Sequence, residues 1–520
     1  MRSFRGYRLL PRRTYADVAL DQMRRLADLL IAGVLILVTS PLMLLVALAI
    51  EWEGAGPILE RETCIARGGR RFEMLKFRTM LPDPEHTMPA YQAAADWGAH
   101  ALEVSTSSTS DGVLVCMHDL TLDRTTDGSG PVNAHTWAEL SRLTVIQPQL
   151  GPAWTDANVR IPQLEQVLTT FGGRLVLCLE AKRYEDYPLM MDLVAKHGLQ
   201  KSVIVKAFHA SNAIADAKSS GYPVFSYFGV PDVGLAAIAA AAKPLNAGTD
   251  YLVLPTTGAA TGDQLLPAEY VQAAVGTGIP VWVYPVHRRY EADYFFGLGV
   301  SGLITPNYSY LSNRVPSTRY DSWSSKAVAS GEMNELPDQK TYAPQWTGAD
   351  ELTLAKRDSQ HFITLGQFAP LATATGSYQI DLQARWNLLP QDTGTGIAIA
   401  FGHADDRYWE DGLGSGDGYH ALLTADGSLA LYSHLTDQRV GQLLADPVQT
   451  PAPELGQWMT LRLTVFPQGI SWSRLDVTAP DTGSAAQVSA DDRRFRGGYL
   501  HLGRTSAEKS SVSFRGLTVS

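Results

Sequence analysis

A chain of 520 residues is long enough for two or three domains with sizeable cores, and 45% apolar with 18% charged residues is the composition of folded protein. The net charge of −10 is unevenly spread, since residues 1–80 hold 13 Lys/Arg against 8 Asp/Glu. An acidic remainder excludes nucleic acid as an expected partner, because a polyanion needs a basic face.

The first element reads as membranous. Residues 26–50 carry a single charge, Asp28, and are long enough to cross a bilayer. The run is too long, and starts too deep in the chain, for a secretory signal peptide. Pro41 falls inside it and kinks a helix by removing a backbone donor. Arginines flank both sides (Arg24 and Arg25 before, Arg61 and Arg67 after), so a broken helix with both flanks on one face is expected rather than a simple span. The three cysteines, Cys64, Cys116 and Cys178, form neither a metal-ligand spacing nor a disulfide framework.

Asp28 early in the apolar run, Ser40-Pro41, Gly56-Pro57 and the closing KFRTM of residues 76–80 resemble the opening of the bacterial sugar transferases. Those are monotopic enzymes that load a sugar phosphate onto a polyprenyl phosphate. The resemblance stops near residue 80, and that family's catalytic Asp-Glu pair has no match downstream. Residues 1–80 are therefore expected to be an anchor at a bacterial cell membrane, in contact with membrane lipid. A transferase fragment is the alternative.

From residue 84 the pattern changes. A helix is predicted over 90–97 with Gly98 as its C-cap, then a short apolar strand over 101–104, a turn at Ser110-Asp111-Gly112 and a second strand over 113–117. Glu103 lies in the first strand, and His118-Asp119 stand where the second stops. In a parallel α/β barrel, side chains at the C-terminal strand ends face a shared mouth. A carboxylate and an imidazole delivered there suit metal-assisted phosphoryl chemistry.

The ordered series EHT (85–87), WGAHALEVS (97–105), TSDGVLVCMHD (109–119) and TLDRTTDGSG (121–130) resembles the glycerophosphodiester phosphodiesterase family. RIPQLEQVL (160–168), RLVLCLEAK (174–182) and GVSGLITP (299–306) continue it. The resemblance implies a (β/α)8 TIM-type barrel over residues 81–315. It implies hydrolysis of a glycerophosphodiester or lipid-derived phosphodiester with a divalent metal cation, Ca2+ or Mg2+. Carried onto this sequence, it makes Glu103 and Glu180 the metal ligands. Lys182 becomes the phosphate contact and a catalytic group, His118 the acid that protonates the leaving alcohol, and Glu85 a substrate contact. Trp282 and Tyr284, in a further predicted strand over 279–284, and His287 after it are candidates for the wall of the mouth and for substrate contact, with ordinary core packing the alternative for Trp282.

Two departures from the family pattern stand out. The family opens with a strand ending in His-Arg-Gly, where this chain reads FEMLKFRTMLPD and has no histidine before His86. The family's E-x-D pair is Glu103-Val104-Ser105 here, and a hydroxyl is a weaker ligand than a carboxylate for a hard cation. Impaired turnover is the expected consequence, and a non-catalytic envelope protein binding glycan or phosphate is the further alternative.

Residues 316–347 are polar and aperiodic and read as a linker. Over 348–520 apolar and polar residues alternate between Gly/Asp turns, with a hairpin signal at Ala425-Asp426-Gly427. This resembles a jelly-roll sandwich of the concanavalin or laminin-G kind. Trp386, Tyr408, Trp409 and Tyr419 are candidates to stack on a glycan, with packing inside the sandwich the expected role of any one of them. The whole is a multidomain chain: membrane helix, barrel, all-β sandwich.

Overall fold

In the computed structural model the described residues are 59–65, 71–77, 86–146, 158–258, 265–286, 288–306, 308–312, 345–347, 351–357, 361–364, 377–404, 406, 417–435, 438, 440–478, 483–505 and 510–520. The apolar run of residues 26–50, Glu85, His287, Tyr408, Trp409 and nearly all of the expected linker lie outside them. Among the described residues no helix is long and apolar enough to cross a membrane. The strands β1 (Leu59–Ile65) and β2 (Arg71–Phe77) form a two-stranded sheet of their own.

The barrel sheet holds eight strands: β3 (Ala101–Ser108), β4 (Leu114–Cys116), β5 (Val176–Ala181), β6 (Val203–Phe208), β7 (Val224–Tyr227), β8 (Tyr251–Pro255), β9 (Val281–Tyr284) and β10 (Gly302–Leu303). Their spatial order is β10-β9-β8-β7-β6-β5-β3-β4. Seven run parallel, and β4 is an antiparallel hairpin partner of β3. The expected eightfold repeat is thus met by seven parallel strands. Among the described residues β3 pairs only with β4 and β5, and β10 only with β9. The sheet curls far enough to bring its ends together, since the Tyr308 hydroxyl after β10 donates to the Gly98 carbonyl before β3 at 2.8 Å.

Local chemistry explains the elements that deliver the site. The helix Met88–Asp96 starts at Thr87, whose side chain accepts from the Ala90 amide, and it ends at Gly98, which takes φ +82°. In the helix Leu164–Phe171, Leu164, Val167, Leu168 and Phe171 are buried, an i, i+3, i+4, i+7 stripe that packs onto the sheet. Alternation along the strands sends Cys178, Ile204, Phe225, Tyr251, Val253 and Trp282 into the barrel interior.

The barrel mouth is tied at one side by an ion pair between the buried Asp186 and the half-buried Arg183. Asp186 accepts from Arg183 (2.8 and 3.0 Å), from the Ser108 hydroxyl (2.8 Å) and from the Ser108 amide (3.2 Å), joining the end of β3 to the segment after β5. Asp186→Ala would leave the Ser108 amide and hydroxyl without their acceptor and Arg183 with only the exposed Glu185 as an ion-pair partner. It is expected to cost about 1–3 kcal/mol, the scale for leaving buried donors unsatisfied. Chemical denaturation of the variant checks this, and a loss below about 1 kcal/mol would show that the pair is not holding the two strands.

The C-terminal part is two seven-stranded antiparallel sheets. The first runs Gln345–Trp346, Glu351–Arg357, Ser510–Val519, Tyr378–Leu388, Met459–Phe466, Gly469–Thr478, Ala485–Ala490. The second runs His361–Thr364, Tyr499–Arg504, Gly396–His403, Gly418–Thr424, Ser428–His434, with Gln442–Leu443 and Val448–Gln449 along its last edge. One core drawn from both sheets (Trp386, Leu461, Trp472 and Phe514 against Ile399, Tyr419, Leu431 and Leu502) makes them a sandwich. The hairpin at residues 425–427 forms as expected, with Gly427 at φ +93° where any side chain would strike the Thr450 carbonyl. Gln345–Trp346 already pairs with Glu351–Arg357, so the sandwich begins before residue 348.

Trp386 and Tyr419 are fully buried in that core. They are core-packing aromatics, one of the two roles expected for them, and cannot stack on a glycan at the surface. Asp406 links the sandwich to the barrel, accepting from the backbone amides of Arg289 and Tyr290 in the first turn of the barrel helix Arg289–Gly297. A carboxylate there satisfies two orphan donors and meets the positive end of the helix.

Candidate active site

Parallel pairing sets which side chains meet at the mouth. Ser105 lies beside Glu180, and Glu180 beside Lys206, in consecutive strands β3, β5 and β6. Glu103 is two residues before Ser105 on the same strand face. Three acidic or hydroxyl groups and one ammonium therefore share a single corner of the barrel.

Lys206 is the centre of this corner. Its Nζ is 2.9 Å from Glu103 Oε1 and 2.9 Å from Glu180 Oε2, and it lies over the rings of Tyr227 (5.0 Å to the centroid) and Tyr284 (5.5 Å). Lys182 Nζ donates to the same Glu180 oxygen at 3.0 Å. The buried Ser105 hydroxyl lies 3.3 Å from Glu103 Oε1 and 3.5 Å from Glu180 Oε2.

The electrostatics follow from these distances. Burial pushes the Glu103 carboxyl up, but Lys206, His86 and Lys182 outweigh it and hold the group well below the usual carboxylate range. Glu180 is lowered in the same way, burial being overcome by Lys206 and Lys182 against the repulsion of Glu103. Burial alone would discharge Lys206, yet the two carboxylates raise its pKa well above the ordinary lysine value. Tyr284, pushed up to about 12 mainly by burial, stays a neutral phenol and donates to the Phe228 carbonyl at 2.6 Å.

One imidazole faces the carboxylates and a second stacks on it. His86, held at φ +53° just before the helix Met88–Asp96, has Nε2 4.0 Å from Glu103 Oε2 and Nδ1 2.8 Å from the Tyr91 hydroxyl. The His118 ring stacks on it at 6.0 Å between centroids. His118 Nδ1 is 2.9 Å from Asp119 Oδ1, and Arg124 grips Asp119 with two hydrogen bonds of 2.6 and 2.9 Å. Burial works to raise the Asp119 carboxyl, but His118 and Arg124 hold it well below the usual range.

Of the residues expected from the sequence, Glu103, Glu180 and Lys182 are brought into direct contact with one another or with Lys206, and His118 joins them through His86. Glu85 lies outside the described residues. Trp282 is placed differently from the expectation. It packs one layer deeper, against Phe225 (5.1 Å) and Tyr251 (6.1 Å) and over Gly302, where a Cβ would meet its ring at 2.2 Å. Tyr284, two residues on, looks at Lys206 together with Tyr227. Sequence reasoning missed Lys206 and His86. His86 stood inside the EHT signature, and Lys206 had as its signal one cation in the apolar strand VIVKAF.

The donor set bears directly on the divalent metal that the resemblance implies. Two carboxylates and a hydroxyl are present, but an ammonium lies within hydrogen-bonding distance of both carboxylates and a second one grips Glu180. Among the described residues no group of three or more His, Cys, Asp or Glu is arranged to hold a metal ion. As placed, these residues do not fit a divalent cation, which wants six or more oxygens and no competing positive charge.

Residues 77–308 match the glycerophosphoryl diester phosphodiesterase family, and residues 20–108 match the bacterial sugar transferase family. A glycerophosphodiester phosphodiesterase of Bacillus subtilis is 27% identical over 249 residues, covering 45% of this chain and 82% of that protein. One of Caldanaerobacter subterraneus is 27% identical over 238 residues, covering 45% and 92%. These relatives are phosphoric diester hydrolases. Among solved structures, a phosphodiesterase of Oleispira antarctica in complex with the product sn-glycerol-3-phosphate is 19% identical, covers 44% of this chain and 91% of that one, and has a TM-score of 0.37.

Proposed function

We propose that the barrel hydrolyses a glycerophosphodiester, or a related phosphodiester derived from membrane lipid. The observation that carries this reading is the meeting at the barrel mouth of Lys182 and Lys206 on Glu180, and of His86, with His118 stacked on it, beside Glu103. A phosphodiester is an anion, and the two ammonium groups supply its binding charge. The stacked imidazoles supply a base and an acid on one substrate. Water attacks phosphorus and gives its proton to His86, whose imidazolium is stabilised by the Glu103 carboxylate. The bond from phosphorus to the alcohol oxygen breaks, and His118 hands that oxygen a proton. The products are a phosphomonoester and an alcohol. The family's divalent cation does not fit the donor set, so no step passes through a metal.

The apolar run of residues 26–50 would keep this barrel at a bacterial membrane surface, close to lipid-derived substrates. The full chain, incubated with glycerophosphoethanolamine, is expected to release a phosphomonoester, and Lys182→Met to slow that release at least about tenfold, the scale of one charge-assisted contact. No release by the wild-type chain would overturn the hydrolase reading. Retained binding of glycerol phosphate in that case would leave a phosphate-binding protein.

A further inference from the structure

We propose that the Lys206 ammonium is a built-in cation, standing where a divalent metal would lie between Glu103 and Glu180, so that the site works without one. The inference refines the reading above, since it concerns the charge that the same site offers to a phosphate.

Three observations carry it. Lys206 Nζ is equidistant, at 2.9 Å, from one oxygen of each carboxylate. It is fixed there: the lysine is buried, its backbone carbonyl accepts from the Tyr187 hydroxyl at 2.7 Å, and the faces of Tyr227 and Tyr284 back its charge. The third position that could have supplied a carboxylate is Ser105, whose hydroxyl is neutral and lies against both glutamates. One carboxylate fewer and one ammonium more change the local charge by two in the positive direction, which is the charge of the ion replaced. A fixed ammonium cannot add open coordination positions as a metal does, but it keeps a positive charge in place without dependence on cation supply.

The discriminating property is cation affinity, which is read without any turnover. Isothermal calorimetry of the full chain with CaCl2 is expected to show no stoichiometric binding up to about 1 mM, the weak end of protein calcium sites. Lys206→Met removes the ammonium that bridges both carboxylates and leaves only Lys182, on Glu180, beside them. That variant is expected to gain one Ca2+ per chain and a Tm that rises with CaCl2, whereas Lys206→Arg gains neither. Adding Ser105→Asp to Lys206→Met is expected to tighten Ca2+ at least about tenfold through the third carboxylate.

One-to-one Ca2+ binding by the wild-type chain below about 1 mM overturns the inference. So does a folded Lys206→Met chain that stays blind to Ca2+. Where Lys206→Met fails to fold without cation, the wild-type titration decides alone. An active chain that needs bound Ca2+ would sink the built-in cation and keep the hydrolase, while an inactive chain with no Ca2+ affinity would sink the hydrolase and keep the built-in cation.

Discussion

His118→Ala is expected to lower kcat/KM for a glycerophosphodiester about 10²–10⁴-fold, the usual contribution of a positioned general acid. The geometry gives the reason. Asp119, gripped by Arg124, is 2.9 Å from His118 Nδ1, so the ring is oriented with its other nitrogen directed away from that pair. An alanine leaves the leaving alkoxide without a proton donor, and the next imidazole, His86, already faces Glu103. Binding should survive, because the ammonium groups of Lys182 and Lys206 are untouched, so the loss should fall on kcat rather than KM. A substrate with a phenolic leaving group needs little protonation and should lose far less rate. Equal losses on both substrates would remove His118 from the acid role. Asp119→Asn, which spares the imidazole and loosens only its orientation, should fall between wild type and His118→Ala.

The second large effect is expected in acid. His420 and His501 alternate with core residues on their strands and so face away from the sandwich core. His434 and His403 join them, with ring centroids 4.1 Å (His420–His434), 5.1 Å (His403–His501) and 6.3 Å (His403–His420) apart. All four are buried. Burial lowers His420 and His501 well below the ordinary histidine value, helped by neighbouring imidazoles and, for His501, by Arg288 of the barrel. Burial brings His434 down to about 4.

A depressed histidine is neutral when folded and takes a proton on unfolding. Its stabilisation is therefore complete above the unfolded value near 6.5 and is lost as pH falls towards the folded value. For His434 the window is about 6.5 to 4, worth roughly 3 kcal/mol at 1.36 kcal/mol per pH unit. His420 and His501 add losses of the same sign. Fluorescence of the buried Trp386 and Trp472 should report a sandwich whose denaturation midpoint drops steeply below pH 6, and His434→Leu should flatten that slope by about one proton. A midpoint independent of pH between 6 and 4 would show that these imidazoles are not neutral in the fold.

The barrel was legible because its signals are local. A strand period that ends in His or Glu-x-Lys places His118, Glu180 and Lys182 at strand ends, and parallel strand ends share one mouth whatever the details of the sheet. Glu103 enters it from within β3, which runs four residues past the predicted strand. The helix over 88–96, its stop at Gly98 and the 425–427 hairpin follow from capping and turn chemistry within a few residues.

Lys206 was illegible because its meaning is a register. A lysine in an apolar strand reads as an edge or a snorkelling side chain until β6 is paired with β5 so that Lys206 lies beside Glu180. Trp282 failed in the converse way: its strand was right, but whether a residue lies in the mouth or one layer below depends on strand stagger around the barrel. Trp386 and Tyr419 were likewise assigned to strands correctly, while the packing of one sheet on the other decided that they face inward. By itself, the sequence determined which elements form and which chemical groups the barrel carries to its rim. Only the tertiary structure decided which of those groups touch, and there it set an ammonium between two carboxylates, because contacts between strands far apart in the chain are fixed by pairing and packing rather than by any local pattern.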